Sequence, residues 1–179
     1  MRLILVSLVA LILVACSKPH DKYIGYWQLD DSKSQKILEI RKEDKDTYLV
    51  NENIFRSTDL LGKSKKEQVL EKTDKDGLGV NNGLTVVPFN LSDDGKTLRI
   101  MNNKYSKISD DDAKKALDNN KACKDLKTQY KDEIEPLSHT FNKSATEKRN
   151  QIGEKYIELQ KKIPSCELNI YIAKPASGF

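Results

Sequence analysis

Residues 97–112 read Thr97-Leu-Arg-Ile100-Met-Asn-Asn-Lys-Tyr105-Ser-Lys-Ile108-Ser-Asp-Asp-Asp112, and the apolar repeat changes inside this stretch. Leu98 and Ile100 alternate with polar neighbours, Asn102-Asn103 supplies a turn, and Tyr105 to Ile108 resumes a strand. Ser109 then opens a helix. It is a capping side chain, acids fill the first turn where the helix dipole is positive, and Asp112 takes the third position of a capping box. The chain therefore divides near Ser109 into a β part before and an α part after.

Before the switch, short apolar runs recur between Asp-, Asn- and Gly-rich turns. They are Tyr23–Leu29, Lys36–Lys42, Thr47–Ile54, Gln68–Lys72, Leu84–Leu91 and Thr97–Met101. Turns are expected at Asp30-Asp31-Ser32, Glu43–Asp46, Asp76-Gly77 and Ser92–Gly95. Pro88 marks its run as an edge strand or a bulge, because proline donates no ladder hydrogen bond. The pattern over 23–108 predicts an antiparallel meander or a small barrel.

After the switch, apolar residues follow helical spacing: Ala113, Ala116, Leu117, Cys123, Leu126, Tyr130, Ile134, Leu137, then Phe141, Ala145, Ile152, Tyr156, Leu159 and Ile163. Lys and Glu fill the opposite face. Cys123 and Cys166 form an even pair once Cys16 is set aside, and a disulfide between them is expected in an oxidising compartment. The pairing also locates the reversal. Cys123 and Cys166 lie almost equally far from Ser144, so the turn falls near Asn142–Ser144, with Ser144-Ala-Thr-Glu147 as a capping box and Pro136 kinking the first helix. Leu168, Ile170 and Ile172 alternate over residues 167–174, which predicts a half-buried strand returning to the sheet. The expected fold class is α+β: a β-meander or small barrel over 23–108, a helical hairpin over 109–163 inserted before a final strand, and a tail over 175–179.

The N-terminus bears on location. Met1-Arg2, an apolar run from Leu3 to Val14 and a small residue before Cys16 make the three parts of a secretory signal peptide over 1–15. The run stops at Lys18, short of the ~20 apolar residues that a spanning helix needs. Leu13-Val14-Ala15-Cys16 resembles the lipobox of bacterial lipoproteins. That resemblance implies cleavage before Cys16, a diacylglycerol on its thiol and acylation of the new amine. Ser17, in place of an Asp, implies the outer membrane of a two-membrane cell, with the folded part facing the periplasm. Residues 16–22, with Pro19 and His20, read as a short lipidated tether, and 23–179 as one domain.

Other chemistry is sparse. The 179 residues carry 31 Lys and Arg against 27 Asp and Glu. That mixed surface is not the concentrated basic footprint of a nucleic-acid binder, and Lys63-Ser-Lys65-Lys66 reads as a soluble loop. His20 and His139 are the two histidines and have no partners at metal or triad spacing. Gly77-Leu-Gly79 and Asn81-Asn82-Gly83 lack the Lys-Ser/Thr and helix of a phosphate loop. Asp74-Lys-Asp76-Gly77 lacks the remaining ligands of a calcium loop, and Asp93 and Asp94 read as turn residues. No cofactor or metal is expected.

Gly25-Tyr26-Trp27 opens the first strand. This Gly-x-Trp, followed by a meander and a helix, resembles the lipocalin-like barrels. The resemblance implies a barrel with Trp27 and Tyr26 at an apolar ligand site; the alternative makes Trp27 a core residue closing one barrel end. The functional expectation is a non-catalytic binding lipoprotein for a protein, of immunity or inhibitor type, or for an apolar ligand. A structural or assembly role in the envelope is the second expectation, and a carboxylate-based hydrolase the third. The expected partners are a membrane, through the lipid, and a protein or lipid.

Overall fold

The computed structural model describes residues 19–30, 35–56, 67–140 and 142–173. Eight antiparallel strands follow in order: β1 Gly25–Leu29, β2 Ile37–Asp44, β3 Thr47–Asn51, β4 Gln68–Lys72, β5 Leu78–Asn81, β6 Val86–Leu91, β7 Thr97–Ile100 and β8 Asn103–Ile108. Each pairs with its sequence neighbour, and β1 pairs with β8, so the sheet closes into a barrel. Two helices follow, α1 Asp110–Ile134 and α2 Lys143–Gln160. The fold is α+β: a barrel succeeded by a helical hairpin.

Alternation decides which side chains fill the barrel. Trp27, Leu38, Ile40, Tyr48, Val50, Leu70, Leu78, Phe89, Leu98 and Tyr105 form one buried cluster, none more than 5% exposed. An eight-stranded barrel is just wide enough to be filled by its own side chains. Burying each large apolar side chain contributes about 1.5–3 kcal/mol. The outward residues Tyr26 and Ile37, with Ile54, Phe55 and Ile108, form a second cluster beneath Ala116 of α1. Ala113 and Ala116 are buried, so α1 lies close against the barrel wall.

Several expectations are refined. The β5 strand, Leu78–Asn81, was not among the expected runs, because Gly79 breaks its apolar pattern. A Cβ on Gly79 would stand 2.6 Å from the Val87 carbonyl oxygen, so β5 and β6 approach closely there. Pro88 pairs with that glycine and lies on no sheet edge, since the barrel has none. Pairing of β6 with β7 begins at Phe89, so the flank of Pro88 toward β7 lies past the last pair and loses no ladder bond.

At the switch, Ser109 Oγ accepts from the Asp112 N–H at 3.1 Å, as the capping motif predicts. The reversal between the helices is longer than expected. α1 stops at Ile134, Pro136 is the second residue of a 3-10 turn over Glu135–Leu137, and Asn142 rather than Ser144 caps α2 by accepting from the Ala145 N–H at 2.8 Å. Pro136 therefore ends α1 instead of kinking it; its missing N–H is harmless in a first turn. Arg149 ties the connection, donating to the Leu137 and Thr140 carbonyls at 2.6 and 2.7 Å. Cys123 and Cys166 are disulfide-bonded with Cα atoms 5.4 Å apart.

Residues 167–173 correct the expected final strand over 167–174, whose last residue lies outside the described ones. They form no strand and pair with none of the barrel. Closure through β1 and β8 leaves no edge to receive them. Side-chain amides of the hairpin take the place of a ladder: Gln160 Oε1 accepts from the Leu168 N–H at 2.8 Å. Asn150 exchanges bonds with Ala173, 2.9 Å to its carbonyl and 3.0 Å from its N–H. Leu168 and Ile170 pack with Leu126, Tyr156 and the disulfide sulfurs, and Ile172 lies over Gly153. The half-buried face is real, but it is buried on helices.

The expected tether over 16–22 is also shorter. Pro19–Tyr23 forms a 3-10 helix with His20 and Tyr23 buried. Two substitutions test this architecture. Gly79→Ala should lower denaturant stability by about 1–3 kcal/mol, the usual cost of overpacking, because the Cβ meets backbone that cannot rotate away. The double replacement Cys123→Ser, Cys166→Ser removes a cross-link over 43 residues. By loop-closure entropy it should cost the hairpin about 4 kcal/mol, read as faster amide exchange in α2 with barrel exchange unchanged.

Candidate functional site

The alternating strands send Trp27 inward and Tyr26 outward, which separates the two residues expected to share a ligand site. Trp27 is fully buried, and its indole N–H donates to the Tyr23 carbonyl at 2.8 Å. It is a core residue near one barrel end, and it lines neither of the two depressions described below. Tyr26 packs under α1 and donates to Glu39 Oε1 at 3.2 Å. Its burial and the Glu39 carboxylate both raise its ionisation above the usual tyrosine value. Leu38, Ile40, Phe89 and Tyr105 occupy the space an apolar ligand would need.

The end of the barrel near Trp27 is closed by Pro19–Tyr23, and these five residues engage most of its circumference. His20 Nε2 is 2.9 Å from the Asp76 carbonyl in the β4–β5 turn. Asp21 Oδ1 accepts from the Tyr48 hydroxyl of β3 and from Lys42 Nζ of β2, both at 2.7 Å. The Lys22 carbonyl accepts from Lys107 Nζ of β8 at 3.1 Å, and the Tyr23 hydroxyl donates to the Phe89 carbonyl of β6 at 3.1 Å. Lys107 Nζ also stands 5.1 Å from the Trp27 ring centroid, and partial burial pulls its ammonium below the usual lysine range. The cation over the indole face gains from the ring quadrupole. This plug was not legible in the sequence, where six polar or proline residues look like a linker; Tyr23 was the one apolar sign.

The opposite end carries the β5–β6 turn, residues 82–85, and the β7–β8 turn, Met101-Asn102. Leu84 is 95% exposed and Met101 78%. Asn82 Oδ1 accepts from the N–H groups of Leu84 and Thr85 at 3.0 and 2.9 Å, which holds the first turn rigid. Met101 has φ +53°, a left-handed conformation costing a non-glycine residue about 1–2 kcal/mol. The sequence pattern places Leu84 and Met101 at the ends of the expected strands Leu84–Leu91 and Thr97–Met101; the structure starts β6 at Val86 and ends β7 at Ile100, which leaves both residues in turns.

Two open depressions lie elsewhere. One, about 570 Å³, runs between the β4–β5 turn and β6, lined by Tyr23, Lys72, Lys75, Pro88 and Asn90. The other, about 190 Å³, lies between the helices and the C-terminal segment beside Tyr130, Arg149 and Tyr171. Asp74–Gly77 is a hairpin turn: Gly77 N–H donates to Thr73 Oγ1 at 3.1 Å. Asp94 accepts from the Ser92 hydroxyl at 2.5 Å and the Lys96 N–H at 3.0 Å, bonds that hold its carboxyl below the usual range. Both are turn residues, as read from the sequence. His139 is exposed. Leu13–Cys16 and Lys63–Lys66 lie outside the described residues. Among the described residues no group of three or more His, Cys, Asp or Glu is placed to hold a metal, and no helix is long and apolar enough to cross a membrane.

No family model, curated protein or solved structure matches this chain.

The plug has a pH signature. Burial first, and the Asp21 carboxylate second, push the Tyr48 hydroxyl up to about 12. Unfolded tyrosine ionises near 10. Between about 10 and 12 the folded chain holds a proton that the unfolded chain has lost, so stability falls as pH rises through that window and is full below it. Tyr156, also pushed up to about 12 by burial and by Glu133, contributes in the same sense. Urea midpoints should be level to about pH 10 and then drop. Tyr48→Phe should flatten part of that slope while lowering neutral stability by about 1 kcal/mol, the lost hydrogen bond to Asp21.

Proposed function

We propose that this chain is an envelope lipoprotein, held on a membrane by lipid at Cys16, that acts as a non-catalytic binding module for a protein. The observation that carries the choice of a protein over an apolar ligand is the filled barrel. Trp27, Tyr48, Phe89 and Tyr105 are at most 3% exposed and belong to the one cluster that fills its interior. Binding an apolar molecule there would require expelling these rings, at several kcal/mol each. Recognition then falls to the outer surface, where rigid turns present Leu84 and Met101. Methionine is enriched at protein interfaces relative to the rest of the surface. An inhibitor or immunity protein acting in the periplasm fits this description, with the outer membrane as its location. The anchor rests on the lipobox resemblance of Leu13-Val14-Ala15-Cys16, and the disulfide fits an oxidising compartment.

A second reading has support of its own. The distal parts of α1 and α2 carry a separate core of Leu126, Tyr130, Tyr156 and Leu168, clipped by Cys123–Cys166. Such an arm suits docking into a larger envelope assembly. A carboxylate-based hydrolase is the least supported reading: Asp93, Asp94, Asp74 and Asp76 sit in exposed turns.

Three measurements test the proposal. Mass spectrometry of the mature protein should find the N-terminus at Cys16 carrying two or three acyl chains, and an unmodified Cys16 would sink the anchor. A fluorescent apolar probe such as an N-phenylnaphthylamine should show no saturable binding; stoichiometric, displaceable uptake would transfer the function to a ligand carrier. A partner cross-linked in cells should form a defined complex with the purified protein, and Leu84→Asp with Met101→Asp should weaken it at least tenfold without changing the unfolding midpoint.

A further inference from the structure

Cys16 stands three residues ahead of Pro19, the first residue of the plug. Three residues reach at most about 10 Å in any conformation. No slack is available beyond that, because His20, Asp21, Lys22 and Tyr23 are bonded to the β4–β5 turn, β2, β3, β6 and β8. A lipid on Cys16 therefore holds the plugged end of the barrel within about 10 Å of the lipid surface. Strands of four to eight residues, tilted about 35–45° from the axis, make the barrel roughly 13–15 Å tall before its turns are added, so its opposite end lies beyond the reach of the tether. That end bears the β5–β6 and β7–β8 turns, which are neighbours because β6 pairs with β7. Two strand spacings separate them, about 10 Å.

We infer that the plugged end of the barrel is its lipid-facing surface, seated on a bilayer, and that this seating directs Leu84 and Met101 into the aqueous space away from the lipid. The inference rests on the lipid anchor proposed at Cys16. The left-handed backbone at Met101 is what a two-residue turn between β7 and β8 requires; its side chain, 78% exposed, contributes little to the barrel and stands at the outer end. Charge acts the other way and is weaker. The turns at the plugged end carry Asp44, Asp46, Asp74, Asp76, Asp93 and Asp94 against three lysines, so anionic lipid repels them. That repulsion is screened over about 10 Å at 0.1 M salt, whereas acyl chains bind with about 0.8 kcal/mol for every buried CH₂. Seating is thus a consequence of tether length and not of attraction between the barrel and lipid.

The test uses the full lipidated protein in phosphatidylcholine–phosphatidylglycerol vesicles carrying a headgroup quencher. One fluorophore is placed at a time through Lys75→Cys, Asp93→Cys, Leu84→Cys or Met101→Cys, with the native disulfide left oxidised. Quenching should be several-fold stronger at positions 75 and 93 than at 84 and 101. Inserting twelve Gly-Ser residues between Lys18 and Pro19 should erase the difference. Equal or stronger quenching at 84 and 101 would mean that the barrel lies on its side or dips its tips into lipid, and would overturn the orientation. A contrast that survives the long linker would overturn the tether as its cause. An unmodified Cys16 in the mass spectrum defeats the anchor reading itself, a separate failure from either label pattern.

Discussion

The antiparallel pairing of β1 with β8, from Tyr26 opposite Ile108 to Leu29 opposite Tyr105, removes the free strand edges of the sheet. Most other features follow from that closure. An open sheet would have offered a flank to the alternating segment after α2; the closed one sends it to the helices, where Asn150 and Gln160 imitate a strand's hydrogen bonds. It would also have left room for Pro88 at an edge. In the barrel the proline is accommodated only where β6 has already parted from β7, opposite the glycine that lets β5 come close. Closure, finally, sets the interior diameter, and eight strands leave a bore that aromatic side chains fill.

A filled bore changes what the barrel can be for. Trp27 sits where a lipocalin-like reading would put a ligand, yet it is fully buried and bonded to Tyr23. Its indole joins the plug to the core: the Tyr23 carbonyl receives its N–H from one side, and Lys107 stands over its face from the other. The interior is therefore structural. What remains for recognition is the outer surface, and the geometry makes the two barrel ends unequal. One is knotted to the N-terminal segment through Asp21, Tyr48 and Lys42. The other ends in turns that expose Leu84 and Met101.

The helical hairpin is a second structural unit built on different physics. Its proximal part is held by small residues, Ala113 and Ala116, against Tyr26 and Ile37 of the barrel wall. Its distal part has a core of its own, where Leu126, Tyr130, Ile152, Tyr156, Leu159, Leu168 and Ile170 pack around the disulfide. The edge-on Tyr130–Tyr156 pair at 5.2 Å and the Tyr156–Glu133 hydrogen bond at 2.9 Å fix the geometry of that core. The cross-link closes a loop of 43 residues, long enough to restrict the unfolded chain substantially.

The α+β division at Ser109, the capped start of α1, seven of the eight strand positions and the Cys123–Cys166 pairing were legible in the sequence, because each depends on local periodicity, capping chemistry or cysteine arithmetic. The lipid-anchoring expectation at Cys16 is likewise a local signal. Partnership between distant elements was not legible. Nothing in Leu168, Ile170 and Ile172 says whether the surface they bury against is a sheet or a helix pair. Pro19–Tyr23 has the composition of a linker and becomes a plug only because Asp76, Lys42, Tyr48 and Phe89 are brought to one end of the barrel. Trp27 could have lined a pocket or filled a core, and barrel closure decided for the core. Side-chain alternation is a property of a strand and can be read in one dimension. Which face meets what is a property of closure, which exists only when β1 finds β8.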